Sequence, residues 1–547
     1  WSWETMFLND KKVGWHKSEG IYSGVSGIVL FLIELFKKTS DDKYLEAAIH
    51  GANWVDNYCA KNKTTYYAFL TGRLGAAYML VQLAEVSGEK AFLKKALKIA
   101  KGCEIFLEQE HTLNEFINGA SGALLALMHL HQASGEDWLL DSINTFTAHL
   151  IDHVYHGENG LYWDRSDKSI KGLCGFSHGA AGVGFVFLEL GYYFKNKAFY
   201  QMAEQAFFYE NSLFNEKIGN WPDFRKGNYN EETNEQFKAA YLANNYDFFE
   251  TPGDMTAWCH GAPGIGLSRL RALELLEKEE YRNDYLKAEK KTLEKEESLT
   301  ANLASFTLCH GAGGNAMLLL EAHRLLKENY QQNRVTSIVE RLLKVKKDDQ
   351  PYLPGYSTVE KTEDSSLFMG NAGIGYFLLQ YIEPLNTASV LSPVLKNRCK
   401  QDFSSKPDLN LNAFSLKKKL MEKAFPLTIN LLEEVLPNEI HDYFQVDLSL
   451  KREGIKEEFK KFLRKVLSQE DLVGINQIRD VFKYEMAKTK LQSYNPAYLS
   501  IKNQFLRERA AALLALEVPQ LMKKKIQLNN DASILGTAWN WNKYSKD

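Results

Sequence analysis

The sequence predicts an all-α protein: a double-layered α/α toroid of seven inner and outer helices with an additional C-terminal helical region. Two observations carry that prediction. A Gly-x-x-Gly step recurs seven times, at Gly24–Gly27, Gly72–Gly75, Gly119–Gly122, Gly179–Gly182, Gly261–Gly264, Gly311–Gly314 and Gly370–Gly373. Successive copies are 48, 47, 60, 82, 50 and 59 residues apart, which marks a repeat architecture. The second observation is the segment after each step: a helix-length run that is apolar on nearly every face, such as "IVLFLIELF", "ALLALMHLH" and "GFVFLELGYYF". Such runs belong inside a protein.

Between the apolar runs lie charged, amphipathic stretches, including "KYLEAAIHGANWVDNYC", "EKAFLKKALKIAKGCEIFLEQ" and "VTSIVERLLKVKK". They read as outer helices with one wet face. Seven apolar helices favour a closed ring over an open solenoid, because an open stack leaves one side of them in water. Six outer helices are evident. A seventh is expected either upstream of Trp1 or from the C-terminal region. Glycine at each inner helix start permits close backbone approach and unusual dihedrals. If all seven motifs start inner helices, they face one end of the ring, and chemistry that needs several of them converges there.

The longest gap, 216–254, is polar, aromatic and turn-rich. It reads as an insertion over the mouth of the ring, a lid or peptide-binding loop. Residues 1–400 thus form the toroid. Residues 405–547 lack the glycine repeat and read as a separate helical region packed on the ring. From Leu411 onward there are 23 Lys and Arg against 17 Asp and Glu, so this region is basic although the whole chain carries −3. Two ordinary surfaces explain that split, and an acidic leader peptide or a partner docked there is the functional alternative. The overall charge argues against nucleic acid as a partner.

Six cysteines in 547 residues do not make a disulfide scaffold. With no signal peptide and no transmembrane run, they point to a reducing, cytoplasmic setting where thiols can bind metal. Cys259, Cys309 and His310 occupy equivalent places in two adjacent repeats, "WCHGAPG" and "LCHGAGG", so the ring sets them side by side. Cysteine and histidine are zinc ligands, and three of them leave a fourth tetrahedral position open, as in catalytic sites. His178 and His260 precede their glycines as His310 does, and suit general acid–base work. Cys174, four residues before His178, reads as packing. Glu115 lies four residues before Gly119, where it either orients a histidine or simply caps a helix. Trp258 either walls the site or fills the core.

The stretches "AWCHGAPGIGLSRLRAL", "LCHGAGGNAMLLL", "GFSHGAAGVGFVFLEL" and "MGNAGIGYFLLQYI" resemble the LanC-like lanthionine cyclase family, in particular the cyclase domain of bifunctional lanthipeptide synthetases. The resemblance covers roughly residues 15–390. It implies a double toroid with Zn2+ at its open end, held at Cys259, Cys309 and His310, with an active-site histidine at His178 and an acidic residue near Glu115. It further implies Michael addition of a peptide cysteine to dehydroalanine or dehydrobutyrine, with a dehydrated precursor peptide as substrate and a lanthipeptide dehydratase as candidate partner. Stand-alone relatives often carry Cys-Tyr-Gly where this chain has His260, Arg where it has Met255, and Asp where it has Glu115. No dehydratase half is recognisable. Two rival readings remain: addition of glutathione or another thiol to dehydroamino acids in proteins, and a non-catalytic zinc module that passes peptide to a dehydratase.

Overall fold

The computed structural model describes residues 3–163, 171–225, 253–298, 305–347, 363–445, 454–468 and 474–492, apart from 10–11 and 328, with a few isolated positions beyond these. Most of the 216–254 insertion and the last predicted helical stretch of 405–547 therefore lie outside the described residues.

Seven inner helices form the ring: α1 (Val25–Thr39), α3 (Arg73–Ser87), α5 (Ala120–Ser134), α7 (Ala180–Phe194), α9 (Ala262–Leu276), α11 (Ala312–Leu326) and α13 (Asn371–Ile382). Each packs on the next, and α13 packs on α1, which closes the circle. Outer helices α2 (Asp42–Lys61), α4 (Lys90–Ala100), α6 (Trp138–Asp152), α8 (Lys197–Asn211), α10 (Glu279–Ser298) and α12 (Asn329–Lys347) each cover the inner helix before them. Among the described residues no seventh outer helix follows α13, and Ile382 on its last turn is exposed. The inner helices are not wholly apolar. Arg269 and Arg271 of α9 are buried, but each is neutralised by a carboxylate: Arg269 by Glu210 at 3.0 Å, Arg271 by Glu189 at 2.6 Å. Buried charge survives only when paired in this way.

The first glycine of every motif is the N-cap of an inner helix. Six of the seven have ordinary extended backbone; only Gly261, at φ 90°, needs glycine for its dihedral. What the repeat demands is space. A Cβ on the second glycine of each motif would sit 1.8–2.1 Å from a carbonyl oxygen in the loop entering the helix, that of Ile21, Phe69, Phe116, Phe176, Trp258, Leu308 or Leu367. Each helix start is pressed onto its own entry loop.

That pressure aligns the seven loops into a crown. The residue two before each N-cap glycine donates its N–H to the matching carbonyl of the next repeat: Tyr22 to Leu70 at 2.7 Å, Leu70 to Ile117 at 3.2 Å, Ile117 to Ser177 at 3.3 Å and Ser177 to Cys259 at 3.4 Å. Cys259 then donates to Cys309 at 3.3 Å, Cys309 to Phe368 at 3.0 Å, and Phe368 back to Tyr22 at 3.1 Å. Beneath this crown, Phe116, Phe176, Trp258 and Phe368 pack ring against ring and fill the barrel. Trp258 is core: it is fully buried and its indole N–H donates to Leu391 O at 3.1 Å. Leu391 belongs to a strap that leaves α13 and crosses the far end of the ring, tied by Leu395 N–H to Glu189 and Cys399 N–H to Tyr193 O.

Two short antiparallel hairpins join the helices: β1 (Thr5–Asn9) with β2 (Lys12–His16), and β3 (Tyr155–His156) with β4 (Leu161–Tyr162). Beyond the strap come α14 (Ala413–Ala424), α15 (Pro426–Val435), α16 (Pro437–Gln445), α17 (Gly454–Val466) and α18 (Ile475–Gln492). Of these, α14 and α17 rest on outer helix α8. Among the described residues no helix is long and apolar enough to cross a membrane.

Candidate metal centre

The crown fixes backbones, and so it decides which side chains meet. Its donor positions carry Cys259 and Cys309 in neighbouring repeats, and the next position carries His178, His260 and His310 in three successive ones. The ligand atoms of Cys259, Cys309 and His310 all lie within 4.8 Å of one another. Both cysteines are buried and His310 is half-buried. Among the described residues this is the one group of three or more His, Cys, Asp or Glu side chains placed to hold a metal.

The two sulfurs share a hydrogen bond. It pulls the Cys309 thiol down, and the Tyr22 hydroxyl adds to that effect, while the same bond pushes Cys259 up against the opposing pull of His310. The shared bond thus favours loss of the Cys309 proton over that of Cys259. A soft, thiolate-rich set with one imidazole suits zinc, whose bonds of about 2.3 Å to sulfur and 2.0 Å to nitrogen need ligands gathered about this closely. The residues present fit the ion.

Glu115 and His178 meet across two repeats: His178 Nδ1 lies 3.1 Å from Glu115 Oε2. The same carboxylate accepts the N–H groups of Ile117 at 2.9 Å and Asn118 at 2.5 Å, which locks its rotamer. Glu115 therefore both caps its loop and orients the histidine. Burial acts to lower the His178 pKa, but the Glu115 charge and hydrogen bond outweigh it and raise the value above 6.5. His260 stacks on His178 with ring centres 5.2 Å apart. The two differ in access. The His178 side chain is 29% exposed, whereas that of His260 is 0% exposed. Burial, followed by the Arg225 charge, pushes His260 down to about 3, so it is neutral at pH 7. Cys174 is buried, is not part of the metal group and packs in the core.

Three supports were not evident from the sequence. Glu210, on outer helix α8, accepts from Gly175 N–H and Ala181 N–H at 2.9 Å each and so grips both ends of the His178 loop. Asn220, at the stem of the insertion, accepts from Ala262 N–H at 3.0 Å, the first residue of α9. Asp223 and Arg225, on the same stem, form a bidentate pair beside His260. No repeat or spacing announces these residues, since they lie outside the glycine motifs.

The family model described as "Lanthionine synthetase C-like protein" matches residues 16–395. This chain belongs to that family. The nisin biosynthesis protein NisC of Lactococcus lactis subsp. lactis is 25% identical over 346 residues, covering 58% of this chain and 76% of the relative. A solved structure titled nisin cyclase superposes with a TM-score of 0.50 at 18% identity, covering 67% of this chain and 89% of that one. The lanthionine synthetase C-like chain thus shares its ring fold with that structure, and the family match ends within the strap, ahead of the C-terminal helices.

Proposed function

We propose that this protein is a zinc-dependent lanthipeptide cyclase, which forms lanthionine or methyllanthionine by adding a peptide cysteine to a dehydroalanine or dehydrobutyrine. The observation that carries the reading is the Cys259–Cys309–His310 cluster beside a Glu115-oriented, accessible His178. Membership of the lanthionine synthetase C-like family, with a nisin cyclase among the similar structures, supports it.

Cys259, Cys309 and His310 would hold the ion and leave one position for substrate. Zinc, when bound, supplies the acidity that keeps the incoming thiol deprotonated at neutral pH, where a free thiol with a pKa near 8.5 is mostly protonated. The thiolate attacks the β-carbon of the dehydro residue, and the π electrons move onto the carbonyl as an enolate. His178, held by Glu115, carries the proton that the α-carbon then takes up. Its pKa, raised by Glu115, favours the protonated form that a general acid needs. His260 is too deeply buried to reach the peptide and acts as a neutral backing to His178. The crown brings these groups to one mouth, so both reacting ends of the peptide are held together and the entropic cost of ring closure falls. The substrate would be a dehydrated precursor peptide, with a dehydratase as its source.

The test is thiol consumption. Zinc-loaded protein is incubated with a synthetic peptide carrying one dehydroalanine and one cysteine, and free thiol is followed against a protein-free control. Faster loss of thiol with no change in peptide mass supports cyclisation. Thiol loss only when glutathione is added, with the mass of glutathione gained, favours the intermolecular alternative. No loss above the control contradicts both.

A further inference from the structure

Asp223 and Arg225 have no part in the reaction as derived so far, yet they stand at its edge. They lie on the stem of the insertion between α8 and α9, and that stem is fixed rigidly to the site. Asp223 and Gly253 exchange both backbone hydrogen bonds, at 2.9 and 2.8 Å. Asn220, buried nearby, donates to Met255 O at 3.0 Å and accepts from Ala262 N–H, so it bolts the stem onto the loop that carries Cys259 and His260. The position of Arg225 is therefore set by the same backbone that sets the metal ligands.

Its guanidinium is pre-organised. Nε donates to Asp223 Oδ1 at 3.0 Å and Nη2 to Oδ2 at 2.7 Å, the fork geometry that fixes an arginine in one plane. Nη2 also touches Met255 Sδ at 3.2 Å, and Asp223 Oδ1 is 3.9 Å from His260 Nδ1. The charge lies close enough to the sulfurs of Cys259 and Cys309 to interact with both. Nη1 has no hydrogen-bond partner among the described residues, and the side chain is 39% exposed. One edge of a held cation thus remains available near the cysteine pair.

We propose that Arg225 is a catalytic residue: its free Nη1 edge donates to the carbonyl oxygen of the dehydro residue, and Asp223 positions it. This rests on the cyclase reading. The step balances without any further reagent. The sulfur lone pair forms the S–Cβ bond, the Cα–Cβ π pair shifts toward the carbonyl, and the carbonyl oxygen takes the charge under Arg225. The His178 proton then goes to Cα, the carbonyl re-forms, and a thiol and an alkene have become a thioether with no net oxidation. A donor aimed at the oxygen where charge develops lowers the barrier more than it tightens ground-state binding. The Asp223 pairing makes the cation a fixed dipole, which needs no reorganisation as the enolate forms.

The experiment uses the full zinc-loaded chain, the dehydroalanine–cysteine peptide, and the same peptide with serine in place of cysteine as an unreactive probe of binding. Arg225→Ala is expected to lower the cyclisation rate at saturation by about 10²–10³-fold, the loss typical of one oxyanion donor. Zinc content and affinity for the serine peptide should stay within a few-fold of the parent, and added methylguanidine should restore part of the rate. Arg225→Lys should recover less than the parent rate, because an ammonium lacks the fork that Asp223 holds. A parental rate in Arg225→Ala overturns the proposal. So does a loss that comes with lost zinc or lost peptide affinity and resists methylguanidine, since that is the pattern of a residue that only holds the stem in place. A parent protein that consumes no thiol above the control overturns the cyclase reading itself, and this proposal with it.

Discussion

The two sides of the crown share one backbone and carry different side chains. On one side, repeats four to six present His178, Cys259, His260, Cys309 and His310. On the other, repeats seven, one and two present Phe368, Met369, Tyr22, Ser23, Leu70 and Thr71 at the same positions. Every repeat contributes one loop-to-loop hydrogen bond and one glycine pressed onto a carbonyl. The difference teaches that the ring and the chemistry are separable. The glycine pairs make the crown, and the two residues before each pair decide whether that stretch of the crown binds anything. The reactive side is braced by Glu210, Asn220 and Asp223, and the bare side by Asp364, which accepts from Met6 N–H and Ser366 N–H, and by the Arg73–Glu19 ion pair.

The sharpest way to break the comparison is to remove a ligand without touching the ring. Cys309→Ala should lose zinc and cyclisation together while keeping the helical content of the parent, as read by metal analysis, thiol assay and circular dichroism. Retained zinc at one equivalent would mean that the cluster is not the site. Next in size is His178→Ala, which should keep its zinc and lose about 10²–10⁴ in rate, the usual contribution of a positioned acid. The pH–rate profile sharpens this. Glu115 favours the protonated imidazole, so the alkaline fall in rate should lie above 6.5, and Glu115→Gln should move it to lower pH. A limb that stays in place would separate the two residues.

On the bare side the expected effect is structural. Gly75→Ala puts a Cβ 2.0 Å from Phe69 O, and the loop must move. A cost of about 1–3 kcal/mol is expected, as for other overpacked sites, seen as a lower melting temperature with zinc stoichiometry unchanged. Loss of zinc in that variant would show that the two sides are coupled after all. The last prediction concerns the region outside the ring. Lys456 of α17 is buried against the ring and donates to Gly157 O, and burial pushes its pKa down from 10.5 to about 7. Between those values the unfolded chain holds a proton that the folded chain has released, so stability should rise with pH across that window. Lys456→Met should flatten the rise, measured by denaturant melts at pH 7 and 9; an unchanged slope would assign it to another group.

The same division explains how much of the molecule was legible in the sequence. The ring was readable because its constraint repeats: seven glycine pairs and seven apolar runs state one rule seven times. Cys259, Cys309 and His310 were readable because they sit at one offset within that rule. The expectation that glycine was needed for unusual dihedrals held only at Gly261; elsewhere the demand is for room, which spacing alone does not distinguish. Trp258 could be wall or core on paper, and only its bond to the Leu391 carbonyl decides for core. Glu210 was hidden because a carboxylate on an amphipathic outer helix looks like any solvated one. Asp223 and Arg225 were hidden because the insertion occurs once, so no second copy gives their register.

The central claim is that two cysteines and one histidine at matching crown positions hold one zinc ion with a seat left for a thiol. X-ray absorption at the zinc edge reads that directly. One zinc per chain is expected, bound by two sulfurs at about 2.3 Å and one imidazole nitrogen, rising to three sulfurs when a cysteine-containing peptide is added. A zinc-free protein, or a sulfur count that the peptide does not change, would contradict it.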